Sequence, residues 1–172
     1  MLRRRARHGH HHRTNLKLSG PLLLALTLSS CAAVPERPAG VGVVTRIVDG
    51  DTVDVEIAGV RERVRLIGID TPEIAHGEDP AECGGAEAAR FLESVIPPGT
   101  EVSVMRDVVS RDHYGRLLGY LAKEDVMVNL QIAAAGYART LRIAPNVRLS
   151  AEISNAVDAA RRARLGIWSA CV

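Results

Sequence analysis

The 172 residues leave room for one domain with a real core and little more, and 47% hydrophobic with 24% charged residues excludes a disordered chain. Six of the 22 basic residues (Arg3, Arg4, Arg5, Arg7, Arg13 and Lys17) precede residue 31, where no Asp or Glu occurs, so the remainder sets 16 basic against 20 acidic residues. A mildly acidic domain does not capture nucleic acid by bulk charge, and any phosphate affinity has to come from placed arginines or a bound cation.

The chain opens on an address. Basic residues up to Lys17 precede the apolar run Pro21–Leu28 and then small residues, the order of a secretory signal over residues 1–30. That run is far shorter than the roughly 20 residues of a spanning helix. Leu28-Ser29-Ser30-Cys31 resembles the bacterial lipobox, which makes Cys31 a lipidation site and the protein a membrane-anchored lipoprotein at the cell surface or in the periplasm; ordinary cleavage after Ala32 or Ala33 gives a freely secreted protein instead. His8, His10, His11 and His12 fall in the segment to be discarded. Residues 31–40, with Pro35 and Pro38, read as an extended linker to a domain over residues 41–172. With Cys31 lipidated, Cys83 and Cys171 remain, an even number in an exported chain. They form either a disulfide or two buried thiols; the disulfide is the expectation.

Val41–Val48, Thr52–Ala58 and Arg61–Ile69 are rich in β-branched residues and separated by Asp49-Gly50 and Ala58-Gly59, which predicts three consecutive antiparallel strands. Asp51 shares parity with Val53, Val55 and Ile57, so it sits at the end of the buried face of its strand. A loop over residues 74–85 leads to a helix over 86–96, halted by Pro97-Pro98-Gly99. A strand over 101–109, a turn at Asp112–Gly115 and a strand over 116–121 follow. Further helices are expected over 126–135 and 150–164, with Ile167 and Trp168 packing back on the body. Five short strands with a helix between the third and fourth predict a mainly β, α+β fold: a five-stranded OB-like barrel with three helices, acting as a monomer.

The chemistry concentrates in Ile47–Glu73. Asp51, Asp70 and Glu73 brought together repel unless a proton or cation neutralises them. Carboxylate oxygens, with neither sulfur nor imidazole near them, favour calcium or magnesium over zinc. Taken singly, Asp49-Gly50-Asp51-Thr52 is turn chemistry, Asp70–Glu73 a helix cap and Arg65 a surface strand residue. Their order is what points to a site for a metal and a phosphate: an acid at a strand mouth, an arginine within a strand, two acids at its end.

Val48–Thr52, Arg65–Glu73 and Asp112–Tyr120 resemble, in order and spacing, the three signature blocks of the staphylococcal nuclease (thermonuclease) family. Met127-Val128-Asn129, Gly136-Tyr137-Ala138, Pro145-Asn146 and Gly166-Ile167-Trp168 resemble its lesser landmarks. The resemblance implies a calcium-dependent nuclease acting on DNA and RNA, leaving 3′-phosphate and 5′-hydroxyl ends. It implies that Asp51, Asp70 and the Thr71 backbone carbonyl bind Ca2+, with Asp49 orienting the ion's waters. Glu73 becomes the general base, and Arg65 and Arg116 hold the scissile phosphate. His113, Tyr114 and Arg142 become weaker candidates for substrate contact. Where the family's best-known member has tyrosines, Arg139–Ala144 has no aromatic, which implies weaker nucleotide binding or another base preference. The competing class is a non-catalytic OB-type surface lipoprotein that binds nucleic acid or protein.

Overall fold

A computed structural model describes residues 38–77 and 79–171. The signal, the four early histidines and Cys31 lie outside them. Three strands open the domain as an antiparallel meander: β1 (Pro38–Ile47), β2 (Thr52–Ile57) and β3 (Val60–Leu66). A two-residue strand β4 (Ile69–Asp70) leads through a long loop to helix α1 (Gly85–Val95). Strands β5 (Glu101–Met105) and β6 (Leu117–Lys123) return to the sheet, followed by β7 (Val126–Met127) and α2 (Val128–Ala134). A short β8 (Arg139–Thr140), α3 (Ser150–Arg162) and the single turn α4 (Ile167–Ala170) complete the order.

The large sheet runs β3-β2-β1-β5-β6-β7, and β3 also pairs with β6 in parallel. That second pairing closes the five long strands into a barrel, the OB-like architecture with three full helices expected from the sequence. Alternation along each strand fills the interior with Val53, Val55, Val64, Leu66, Val102, Val104, Leu117 and Leu121, and Leu92, Ile132 and Ile153 cap it from the helices. Trp168 packs against the core, and the guanidinium groups of Arg139 and Arg161 lie over its ring at 5.9 and 5.5 Å from the ring centre.

Boundaries differ from expectation in four places, one being the strand expected over 101–109, which ends at Met105. Strand β1 begins at Pro38, inside the segment read as linker, with Pro38 opposite Met105; proline is tolerated as the first residue of a strand because no ladder N–H is needed there. The third strand, expected to run through Ile69, breaks at Gly68, which takes φ +87°. This left-handed residue turns Ile69–Asp70 out of the barrel to pair with Thr140 and Arg139 of β8. Val126 and Met127 pair with β6 before the second helix starts. Just inside that helix, fully buried Asn129 donates to the Ile67 carbonyl at 2.9 Å and accepts from the Leu121 N–H at 3.0 Å, tying the end of β3 to β6.

Candidate active site

The turn between β1 and β2 carries the first acids. Asp49 accepts the N–H of Asp51 on its side chain at 2.9 Å, the local bond by which aspartate builds such turns. Gly50 cannot be exchanged without movement, because a Cβ there would meet Ala88 Cβ and Thr71 Oγ1 at 2.7 Å each. The turn is thereby wedged against the start of α1 and the segment after β4, and Asp49 and Asp51 are both buried.

Asp51 is the most enclosed acid of the site, 1% exposed. One oxygen accepts the Thr71 N–H at 2.8 Å; the other faces Arg65 Nε at 3.0 Å and the Thr52 hydroxyl at 3.2 Å. Burial outweighs the neighbouring guanidinium, and with the charges of Asp49 and Glu73 adding to it, Asp51 is pushed up to about 7. A carboxylate held this high is short of positive charge.

Arg65 lies opposite Thr52 in the β2–β3 register and opposite Leu118 across the closing seam. Its Nη1 donates to the carbonyls of Leu66 and Ile69 at 2.7 and 2.9 Å, and Nη2 donates to Asp70 at 3.2 Å. Three of its five N–H donors are thus hydrogen-bonded within the protein, and Nε forms an ion pair with Asp51 at 3.0 Å. Asp51 and Asp70 are therefore neighbours with a guanidinium between them. The side chain of Asp70 is half exposed.

Among the described residues, donor atoms of Asp49, Glu73 and His76 lie together, all within 4.8 Å of one another. Glu73 is half exposed, and its carboxyl is raised, first by partial burial and next by the charge of Asp49. His76 Nε2 lies 3.8 Å from it. The sequence expectation that no imidazole stands near the acids is thus corrected. Asp51 and Asp70, expected from the sequence as ligands beside Glu73, are not part of this group and instead share the Arg65 guanidinium; the group itself, two carboxylates and one imidazole, fits a divalent cation.

Arg116 comes from the turn before β6. Asp112 accepts its Nε at 2.7 Å and its backbone N–H at 2.9 Å. Asp112, read in the sequence only as a turn residue, is thus the group that aims Arg116. Two cavities meet at Arg116. One, about 540 Å³, includes Asp49, Thr52, Glu73 and His76 in its walls. The other, about 370 Å³, is mainly apolar, with Arg65 beside Leu118, Leu141, Ile143 and His113. Tyr114 is exposed and stands 5.3 Å from the Arg116 guanidinium, its ring 3.7 Å from that of His113. Arg142 is exposed and lines neither cavity. Cys83 and Cys171 form the expected disulfide, beside the loop that carries His76.

Comparison with known proteins places these features in context. A family profile described as "Staphylococcal nuclease homologue" matches residues 63–170. The thermonuclease of Staphylococcus intermedius is 36% identical over 125 residues, covering 73% of this chain and 74% of that protein. The thermonuclease of Staphylococcus hyicus is 33% identical over 126 residues, with 73% and 74% covered. Endonuclease YhcR of Bacillus subtilis (strain 168) is 33% identical over 138 residues, 74% of this chain but 11% of that much longer protein.

Proposed function

The chain belongs to the staphylococcal nuclease family and is a nuclease; from that premise we propose that it is an exported, calcium-dependent endonuclease hydrolysing phosphodiester bonds of DNA and RNA to 3′-phosphate and 5′-hydroxyl ends. The observation that carries this reading is the position of Arg116 at the junction of an acidic cleft with Asp49 and Glu73 and an apolar pocket with Arg65. A nucleotide seated in the pocket would have its phosphate between two guanidinium groups and facing a carboxylate.

In this mechanism Glu73 orients a water and takes its proton as the oxygen attacks phosphorus. Its raised carboxyl is better matched to proton transfer near neutral pH than an ordinary one. Arg65 and Arg116 bind the non-bridging oxygens and gain strength as negative charge builds on them. The bond to the 5′-oxygen breaks, and solvent protonates that oxygen. Asp51, Asp70 and the Thr71 carbonyl would hold calcium, with Asp49 orienting its waters, and the ion when bound would polarise a phosphoryl oxygen. Glu73 and His76 line the cleft and are each half exposed, which leaves them accessible to that water.

Export is supported by the Cys83–Cys171 disulfide, since such bonds persist in oxidising compartments. Lipidation at Cys31 remains part of the proposal, and intact-mass measurement of native protein checks it. The test of the activity is degradation of DNA and RNA by the purified protein with calcium or with chelator, followed by end-group analysis. Calcium-dependent cleavage to 3′-phosphates is expected. A folded protein that cleaves neither polymer in calcium sinks the reading.

A further inference from the structure

Strand β3 reads Val60-Arg61-Glu62-Arg63-Val64-Arg65, with an arginine at every second position. Residues two apart point to the same face of a strand and lie about 6.8 Å apart along it. Arg65 is at the inner end of this row, beside the acidic cleft. Arg63 and Arg61 continue it outward, while Glu62 pairs with Arg111 through two hydrogen bonds of 2.8 and 2.6 Å.

The row widens across the sheet. Arg46 of β1 and Arg63 of β3 both stand opposite Asp54 of β2 in register. Asp54 is 2% exposed, yet three guanidinium groups converge on it: Arg63 at 2.8 Å, Arg61 at 2.9 Å and Arg46 at 3.8 Å. Burial acts against the ionised form, but the hydrogen bonds from Arg63 and Arg61 win and hold Asp54 below the ordinary carboxylate range. One buried carboxylate needs one guanidinium. Here the surplus stays outside, since the three arginine side chains are each about half exposed. Asp54 acts as a peg that fixes the arginines in one arrangement and leaves their remaining N–H groups toward solvent. Glu56 stands opposite Arg61 at the far end and offsets only part of that charge.

These arginines, with Tyr114 and Arg116, line an open trough of about 760 Å³. Arg63 and Arg116 also line the acidic cleft, so trough and cleft are continuous. We propose that the Arg46–Arg61–Arg63 trough is a strand-binding subsite, which holds the phosphodiester backbone of single-stranded DNA or RNA as it leaves the cleft past Arg116. The inference rests on the nuclease reading and adds a substrate preference to it: longer strands bind better than a single nucleotide. It also supplies what the acidic domain otherwise lacks, a local cationic path for a polyanion.

The test uses the full chain and the double variant Arg46→Gln/Arg61→Gln, which leaves Arg63 on Asp54 so that the peg stays compensated. Arg61→Gln alone is the second variant should the double variant unfold. In chelator, affinity for oligothymidylate and for oligouridylate is measured across a salt series. In calcium, KM is measured for the same oligomers and for a nitrophenyl ester of a single nucleotide. Expected results for the double variant are oligomer binding weakened about tenfold and a salt slope shallower by about 1.4, two lost contacts at roughly 0.7 each. KM for the oligomers rises while turnover of the short ester stays within about twofold. Oligomer binding and KM unchanged from wild type, or an equal loss on both substrate lengths, overturns the subsite. So does loss of binding to phosphatidylglycerol vesicles with oligomer binding intact, which assigns the trough to a membrane surface. If wild type binds oligomers without cleaving them, the nuclease reading fails while weaker binding by the variant still upholds the trough.

Discussion

The carboxylate of Asp112 holds Arg116 twice, through Nε at 2.7 Å and through the backbone N–H at 2.9 Å. The same aspartate also accepts the Tyr114 N–H at 3.0 Å, so one side chain sets the whole turn from which the arginine projects. Asp112→Ala is expected to reduce kcat roughly tenfold, and Arg116→Ala roughly 100-fold or more. Asp112→Asn, which keeps an acceptor but loses the charge, should fall between wild type and the alanine variant. Steady-state kinetics on one oligonucleotide check the series. Asp112→Ala turning over at the wild-type rate would refute the positioning role.

The base proposed here, Glu73, has to be ionised to take a proton, and its carboxyl is raised above the ordinary range by partial burial and the charge of Asp49. The rate is therefore expected to fall as pH drops through that raised value, an acid limb displaced upward from a free glutamate's. Glu73→Gln should lose about 100-fold or more in kcat and lose the limb with it. A pH–rate profile of the residual activity decides the matter: an unchanged limb in the variant assigns it to another group.

Asp51 makes stability depend on pH in the opposite sense to most carboxylates. Between its ordinary 3.8 and about 7 the folded protein keeps a proton that the unfolded chain releases. This contribution is therefore fully present below the ordinary value, declines as pH rises and is gone above about 7. Asp54, Glu62 and Asp112, all lowered, act below that window and lose stability as pH falls further. In chelator, Asp51→Asn is expected to raise Tm at pH about 8 and to leave it nearly unchanged at pH about 4.5. Calcium should stabilise wild type more than the variant at the higher pH. Equal Tm shifts at both pH values contradict the account.

The disulfide closes a loop between positions 88 apart. Chain entropy assigns such a closure about 4.6 kcal/mol at most, or a Tm loss of up to roughly 15 °C for a domain of this size. The bond also backs the site, because Glu82, next to Cys83, donates its N–H to the Glu73 carbonyl at 2.9 Å. Cys83→Ser/Cys171→Ser should melt earlier, and reductant should lower Tm for wild type only. Melting curves that coincide without reductant would show that the bond does not constrain the unfolded chain.

Much of this was legible in the sequence, because it follows from local rules. The β-branched runs gave three antiparallel strands, and parity placed Asp51 on a buried face. Proline and glycine marked the end of α1. The disulfide followed from the count of cysteines. What escaped depends on contacts between distant segments. Neither Ile69–Asp70 leaving the sheet nor the seam held by Asn129 has a local signature beyond a glycine and a polar residue at a helix start. The aim of Arg116 depends on Asp112, whose turn-forming role masks its second bond. His76 was passed over because a loop histidine shows nothing until its loop folds back on Glu73. The arginine track was visible as a period of two on β3, but its meaning needed Asp54 and Arg46 from neighbouring strands.

The parallel pairing of β3 with β6 sets Arg65 opposite Leu118, two residues from Arg116. During synthesis, every acid of the site and Arg65 leave the ribosome well before Arg116 does, and the seam joining them forms only when the barrel shuts. A growing or still-unfolded chain therefore carries the acids and Arg65 without the second arginine of the proposed clamp. With the roles proposed above, barrel closure becomes the arming step, and a cell making this protein would meet its activity only where the chain folds.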